Sequence, residues 1–329
     1  MRLRYFGRAA CAAALAWLCA GASAQIALPD PYNPPQRQWT RLPDGRPWGS
    51  SAGIEIGPKG ELWAIDRCAA NSCDGSGLPA AYQLDPASGR VLRSIGASLF
   101  AFPHGLHIDR DGAVWITDPA IAKDSRKGQQ VIKMSPDGRV LMRLGMAGMS
   151  GGGPAMFHDP SDVVTTPDGT IFVADGHGAV ALDLPPDTIT RIIKFSRGGK
   201  FLKAWGSLGS GPSQFRNAHG LALDSQGRLF VADRVNGRIQ IFTQDGVYLT
   251  EYRKFGFPSG IYIAPDDTLY AVDYNTDGRK GVYIGSARTG EVTGFVPDDQ
   301  AGEGIVATAD GTLYGATPGG ITRFTRKQQ

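Results

Sequence analysis

The sequence predicts an all-β fold, a six-bladed β-propeller around a central channel, and three observations carry that prediction. Short runs of Val, Ile, Leu, Phe and Trp alternate with Asp-Gly-type turns, long helical periodicity is absent, and glycine is abundant at 45 residues. One frame recurs six times: a small residue, a variable residue, usually Gly, then a strand, a turn and a second strand usually ending in Asp. Anchored on Gly53, Gly105, Asp162, Gly220, Gly260 and Gly304, the copies lie 52, 57, 58, 40 and 44 residues apart. That spacing suits propeller blades of several strands each.

Taken in order, the copies are residues 51–66, 103–118, 160–175, 218–233, 258–273 and 302–317. The fourth shows the whole unit, because "RIQIFTQ" and "VYLTEYR" follow its "LFVAD" and bring the blade to four strands. The sixth runs out after "ITRFTRKQQ" and lacks an outer strand, so "RQWTRL" (37–42) is expected to supply one and close the ring. Gly- and Pro-rich insertions at 74–81, 145–156 and 177–190 mark loops, where function is often mounted on a rigid scaffold.

Residues 1–24 read as a signal peptide rather than as fold. A basic "MRLRYFGR" precedes the apolar "AACAAALAWLCA", and "ASA" ahead of Gln25 fits a cleavage site. The apolar run is too short to span a bilayer, so residues 25–329 are expected to be exported, to the periplasm or beyond, as one domain. Removing Arg2, Arg4 and Arg8 turns 34 basic and 31 acidic residues into 31 of each. A neutral mature chain gives no electrostatic reason to expect nucleic acid or an anionic membrane as partner. Two cysteines remain, Cys68 and Cys73, and in an oxidising compartment they suit a small loop disulfide better than half of a zinc site. Oligomeric state is not legible.

Because the blades are copies, equivalent positions form rings about the axis. The residue before each anchor reads Ala52, His104, Ser161, His219, Ser259 and Glu303. Blades two, four and six thus carry His, His and Glu, which would converge at one height without any local motif. Imidazole and carboxylate suit zinc, with iron or another divalent ion as alternatives, and three protein ligands leave a position open. The competing reading is a polar channel lining that binds only water. His107, three residues beyond His104, is assigned a structural role, and His158 none. The Asp closing the second strand, at 66, 118, 175, 233 and 273, is expected to serve a repeated turn or an inter-blade hydrogen bond. After it stand Arg67 and Arg234 in blades one and four, placed either to bind a carboxylate at the channel mouth or to pair with a neighbouring blade's Asp.

On "PHGLHID" with "VWITD", and "QFRNAHGLAL" with "LFVADRVNGRIQIF", the chain resembles NHL-repeat propellers and the peptidyl-α-hydroxyglycine α-amidating lyases, over about residues 50–325. The resemblance implies a central zinc on His104 and His219, active-site arginines at Arg234 and Arg67, and a substrate, small or peptidic, that ends in a carboxylate. It also implies a structural calcium near Leu106. Three positions depart from the family pattern: Glu303 stands for a third histidine, Gly304 for a calcium-binding Asp, and His177 for a catalytic tyrosine. His177 is then the candidate base. A metal-dependent lactonase and a non-catalytic binding propeller are the alternative functions.

Overall fold

The computed structural model describes residues 28–123, 126–181, 183–276 and 278–328; the signal-peptide reading of residues 1–24 lies outside them. The described residues contain strands and turns and no α-helix. Blade one comprises Ile54–Ile56, Leu62–Ile65, Ala81–Leu84 and Val91–Ile95, paired in chain order as an antiparallel meander. Blades two to five repeat that order, beginning with inner strands Leu106–Ile108, Pro160–Thr165, Ala218–Leu223 and Pro258–Ile263. Blade six has Gly304–Ala307, Leu313–Thr317 and Gly320–Phe324. The second strands, such as "LFVAD" at Leu229–Asp233, are buried on both faces because a blade packs on each side of them. A short parallel pair, Ser207–Leu208 with Gln214–Phe215, lies between blades three and four and was not foreseen from the repeat.

The ring is closed by a segment just upstream of the one expected. Gln36 exchanges backbone hydrogen bonds with Arg323 at 2.8 and 3.0 Å, Asn33 N–H donates to Thr325 O, and Tyr32 bridges to Arg326. The chain therefore runs along the last strand at 31–36, as separate bridges rather than a continuous ladder. Pro31, Pro34 and Pro35 explain this, since each supplies a carbonyl and no N–H. "RQWTRL" moves on to blade one: Thr40 Oγ1 donates to Gly89 O at 2.6 Å and Arg41 bridges to Arg90.

Six apolar clusters each join two neighbouring blades, the last joining blade six to blade one through Val306, Tyr314 and Ile321 against Ile54, Leu62 and Leu84. At the axis the blades approach through backbone. A Cβ on Gly220 would sit 2.7 Å from Ser259 O, and one on Gly304 would sit 2.5 Å from Ala52 O. The recurrent glycine is thus a close-approach residue. Gly304→Val is expected to cost about 2 kcal/mol or more by overpacking this contact. Gly319→Ala, where a Cβ meets nothing within 4 Å, should stay within about 0.5 kcal/mol. Urea midpoints of the two variants check this.

Candidate metal centre

Each even blade delivers its polar residue from the first turn of the inner strand. Backbone pairing of His104 N–H to Thr117 O at 2.9 Å and of Gly105 N–H to Thr117 Oγ1 at 2.7 Å fixes the start of blade two. The repeated Asp then fixes the approach. Asp118 accepts Phe102 N–H at 2.6 Å, Asp233 accepts Arg216 N–H at 2.7 Å, and Asp66, Asp175 and Asp273 likewise take the amides of Gly49, His158 and Phe257. The donors lie in the segments that lead into each blade from the one before it, so the carboxylate ties the second strand to the inter-blade connection. The carboxylate sits at the end of the second strand, beside the incoming chain, and bare amides there need an acceptor.

Imidazole orientation comes from the odd blades. His104 Nδ1 donates to Ser161 O at 2.7 Å and His219 Nδ1 to Ser259 O at 2.9 Å. A carbonyl only accepts, so Nδ1 carries the proton in both rings and each Nε2 presents a lone pair to the axis. The two serines are anchored in turn, Ser161 Oγ donating to Ala218 O and Ser259 Oγ to Gly302 O. The alternation of His with Ser was visible in the sequence; the service the serine performs was not.

On the axis, His104 Nε2 lies 3.4 Å from Glu303 Oε2 and His219 Nε2 lies 3.6 Å from Glu303 Oε1. His177 joins them. One ligand atom from each of His104, His177, His219 and Glu303 falls within 4.8 Å of the others. His177 arrives from the loop after Ile171–Asp175, its N–H donating to Asp159 O at 2.9 Å and its carbonyl accepting the Asn217 side-chain amide. An insertion outside the repeat supplies it, so ring register gave no hint that it reaches the same point. The fit to a metal is good: the Nε2 atoms of His104 and His177 are buried with no hydrogen-bond partner. Tetrahedral bonds of about 2.0–2.1 Å also require ligand atoms about 3.4 Å apart.

Arg67 and Arg234 both turn to Glu303. Arg67 Nη2 lies 3.4 Å from Oε2 and Arg234 Nη1 lies 3.5 Å from Oε1, and Arg234 Nη1 also donates to His219 Nε2 at 3.0 Å. Neither pairs with a repeat Asp, because Arg46, Arg191 and Arg238 occupy Asp66, Asp175 and Asp233. Phe102 backs the Arg67 guanidinium at 3.8 Å. Burial lowers both arginine pKa values, with Glu303 opposing that trend. For Glu303, burial works against the charge, but His104 and His219 outweigh it and hold the carboxyl well below its usual range. Burial, then His104 and His219, hold His177 well below an ordinary imidazole, and burial with Arg234 pushes His219 down to about 3. The His177 and His219 rings are therefore neutral at ordinary pH and able to act as ligands or bases.

The other histidines lie elsewhere. His107 contacts Thr165 Oγ1 at 2.9 Å and Glu55 at 3.8 Å, and His158 contacts Ser150 Oγ at 2.8 Å. At the position the resemblance gives to calcium, Gly304 brings no side chain. A carboxylate enters the channel from blade three instead: Asp162 accepts Leu221 N–H at 2.8 Å and Val163 N–H at 2.9 Å. The channel on this side has a volume of about 410 Å3, and on the mouth side a second cavity of about 560 Å3 also reaches Glu303.

Fold and site together define an NHL-type six-bladed propeller with an axial His/Glu group able to hold a metal, and residues 215–242 match the family model described as NHL repeat. The chain is homologous to the amidating lyases. It is 36% identical over 249 residues to peptidyl-glycine alpha-amidating monooxygenase B of Xenopus laevis, covering 70% of this chain and 27% of that protein. Against peptidyl-alpha-hydroxyglycine alpha-amidating lyase 1 of Drosophila melanogaster it is 34% identical over 182 residues, 51% of this chain and 30% of that one. The chain thus spans less than a third of the length of either relative. A solved gluconolactonase from Xanthomonas campestris superposes with a TM-score of 0.62 at 15% identity, covering 91% of this chain and 95% of that one, a likeness of fold alone.

Two measurements bear on the site. Purified protein should carry stoichiometric divalent metal by plasma mass spectrometry. His219→Ala and Glu303→Ala should each weaken metal affinity by at least about tenfold to a hundredfold, the scale seen on losing even an outer partner of a ligand. Burial, with Glu55 adding to it, pushes Asp162 up to about 7. A carboxyl raised in the fold stabilises while protonated, and that contribution is lost as pH rises from about 4 through about 7. Asp162→Asn should therefore stabilise the protein at pH 8 by on the order of 1–2 kcal/mol, with the gain vanishing near pH 4 in denaturant titrations.

Proposed function

We propose that the protein is an exported, metal-dependent lyase that cleaves carbinolamides, of the peptidyl-α-hydroxyglycine amidating type. The observation that carries this reading is the axial group itself: three imidazoles and a carboxylate, two of the rings with unpartnered Nε2 atoms, under two guanidiniums. Homology to amidating lyases over 70% of the chain supports the reaction class. The nitrogen and oxygen donors favour zinc, with iron the nearest competitor. For export, the loop disulfide between Cys68 and Cys73 gives support, since such bonds persist in oxidising compartments.

His104, His219 and Glu303 would hold the ion, which when bound supplies Lewis acidity that lowers the pKa of a substrate hydroxyl. Arg67 and Arg234 orient the substrate carboxylate and balance charge gathering on the hydroxyl oxygen. His177, neutral and with a free Nε2, takes the hydroxyl proton. The carbonyl of glyoxylate forms as the C–N bond breaks, and the proton passes to the departing amide nitrogen. Electrons and atoms balance without a redox partner.

Glyoxylate release from an α-hydroxyglycine-capped peptide is the test. Wild type should release it, and Arg234→Ala should lower kcat/KM by about 10²–10³-fold, the scale of losing one preorganised charge donor. Turnover of lactones with no glyoxylate would overturn the reading in favour of a hydrolase. Inertness towards both, in metal-loaded protein, would leave a binding propeller.

A further inference from the structure

The mouth-side cavity has charges that the reaction just described does not use. Its walls include Trp48, Asn71, Tyr274 and Lys280, and it shares Arg67 and Glu303 with the axial group. The Tyr274 ring lies 5.1 Å from the Arg234 guanidinium and 5.3 Å from the Lys280 ammonium, and the residue is 45% exposed. Arg67 and Arg234 share the single carboxylate of Glu303, whereas Lys280 pairs with no carboxylate among the described residues. Its backbone is fixed, since Lys280 O accepts Asp298 N–H at 3.1 Å. The acids of that adjoining turn, Asp298 and Asp299, are already taken by Arg37 at 2.8 and 2.5 Å.

We propose that this cleft receives the acyl side of the substrate and that Lys280 is a specificity residue that selects an acidic side chain on the residue preceding the cleaved amide. The inference rests on the lyase reading above. The Tyr274 ring lies 5.1 and 5.3 Å from the two cations, which puts the ammonium no more than about 10 Å from the guanidinium assigned to the substrate carboxylate, a span covered by about two residues of extended chain, at about 3.3–3.6 Å each, and an acidic side chain. Apart from a bound metal, three cations face one carboxylate. The reacting carboxylate neutralises one surplus charge and an acidic neighbour neutralises the other. Tyr274 adds a ring face between the two cations, which holds both at the cleft wall without cancelling their charge.

Equilibrium binding of two unreactive peptides, acetyl-Ala-Glu-Gly and acetyl-Ala-Gln-Gly, decides the matter. Wild type should prefer the Glu peptide by about fivefold, the worth of a partly exposed ion pair. Lys280→Gln should erase that ratio, and Lys280→Glu should invert it towards acetyl-Ala-Lys-Gly. Equal binding of the Glu and Gln peptides by wild type, or a preference that survives in Lys280→Gln, overturns the inference and leaves the lyase reading standing. A Lys280-dependent preference combined with no glyoxylate release from the hydroxylated peptides sinks the lyase reading and keeps the cleft. Failure of both peptides to bind metal-loaded protein sinks the two together.

Discussion

A single backbone oxygen per blade junction links the fold of this protein to its site. Ser161 O is one of the atoms a Cβ on Gly105 would strike, with Asp162 Oδ1, and it is also the acceptor for His104 Nδ1. Ser259 O stands in the same relation to Gly220 and His219. The glycine lets the next blade's carbonyl approach the axis, and that carbonyl then sets the tautomer and tilt of the preceding histidine. "His-Gly" is therefore one device rather than two adjacent features. The ring could not tighten without the glycine, and without the tight ring Nε2 would have no fixed aim.

The same constraint shows why the third position behaves differently. At the junction of blade six with blade one, Ala52 O approaches Gly304 in the usual way. A carboxylate has no proton to give that oxygen, so Glu303 is not oriented from the next blade. Its direction is set instead by the cations over it, Arg67 and Arg234, and by the two imidazoles. A histidine at 303 would free both guanidiniums. With glutamate they are partly committed, whereas Lys280 at the mouth has no carboxylate partner among the described residues.

Most of the fold was legible because the repeat is written in residues whose backbone role is the same in every blade. The closing strand was not, since only hydrogen-bond donors reveal where prolines interrupt a ladder, and the sequence pattern of "RQWTRL" is that of a strand that simply pairs elsewhere. His104, His219 and Glu303 were legible for the opposite reason: they are what varies at a fixed register. His177 was noticed only through its departure from a family tyrosine, and its entry into the axial group depends on the path of a loop outside the repeat. The repeat Asp was legible as a structural group but its partner was not, because the amide it accepts lies sixteen or seventeen residues back, in the segment that enters the blade.

Blade three shows what happens where the rule is broken. Its anchor is Asp162 rather than glycine, so the carboxylate side chain occupies space that a close approach would otherwise take. Its two oxygens then accept backbone amides, one from its own blade and one from Leu221 of blade four. The junction is thus held by a side-chain acceptor instead of by direct backbone packing, and the carboxyl that results is buried in the channel one residue beyond Ser161, the partner of His104. That level needs the carbonyl of Ser161 in place for His104. The exchange of glycine for aspartate one residue on preserves that carbonyl while adding a polar bridge to blade four, so the odd blade can depart from the repeat without disturbing the even one.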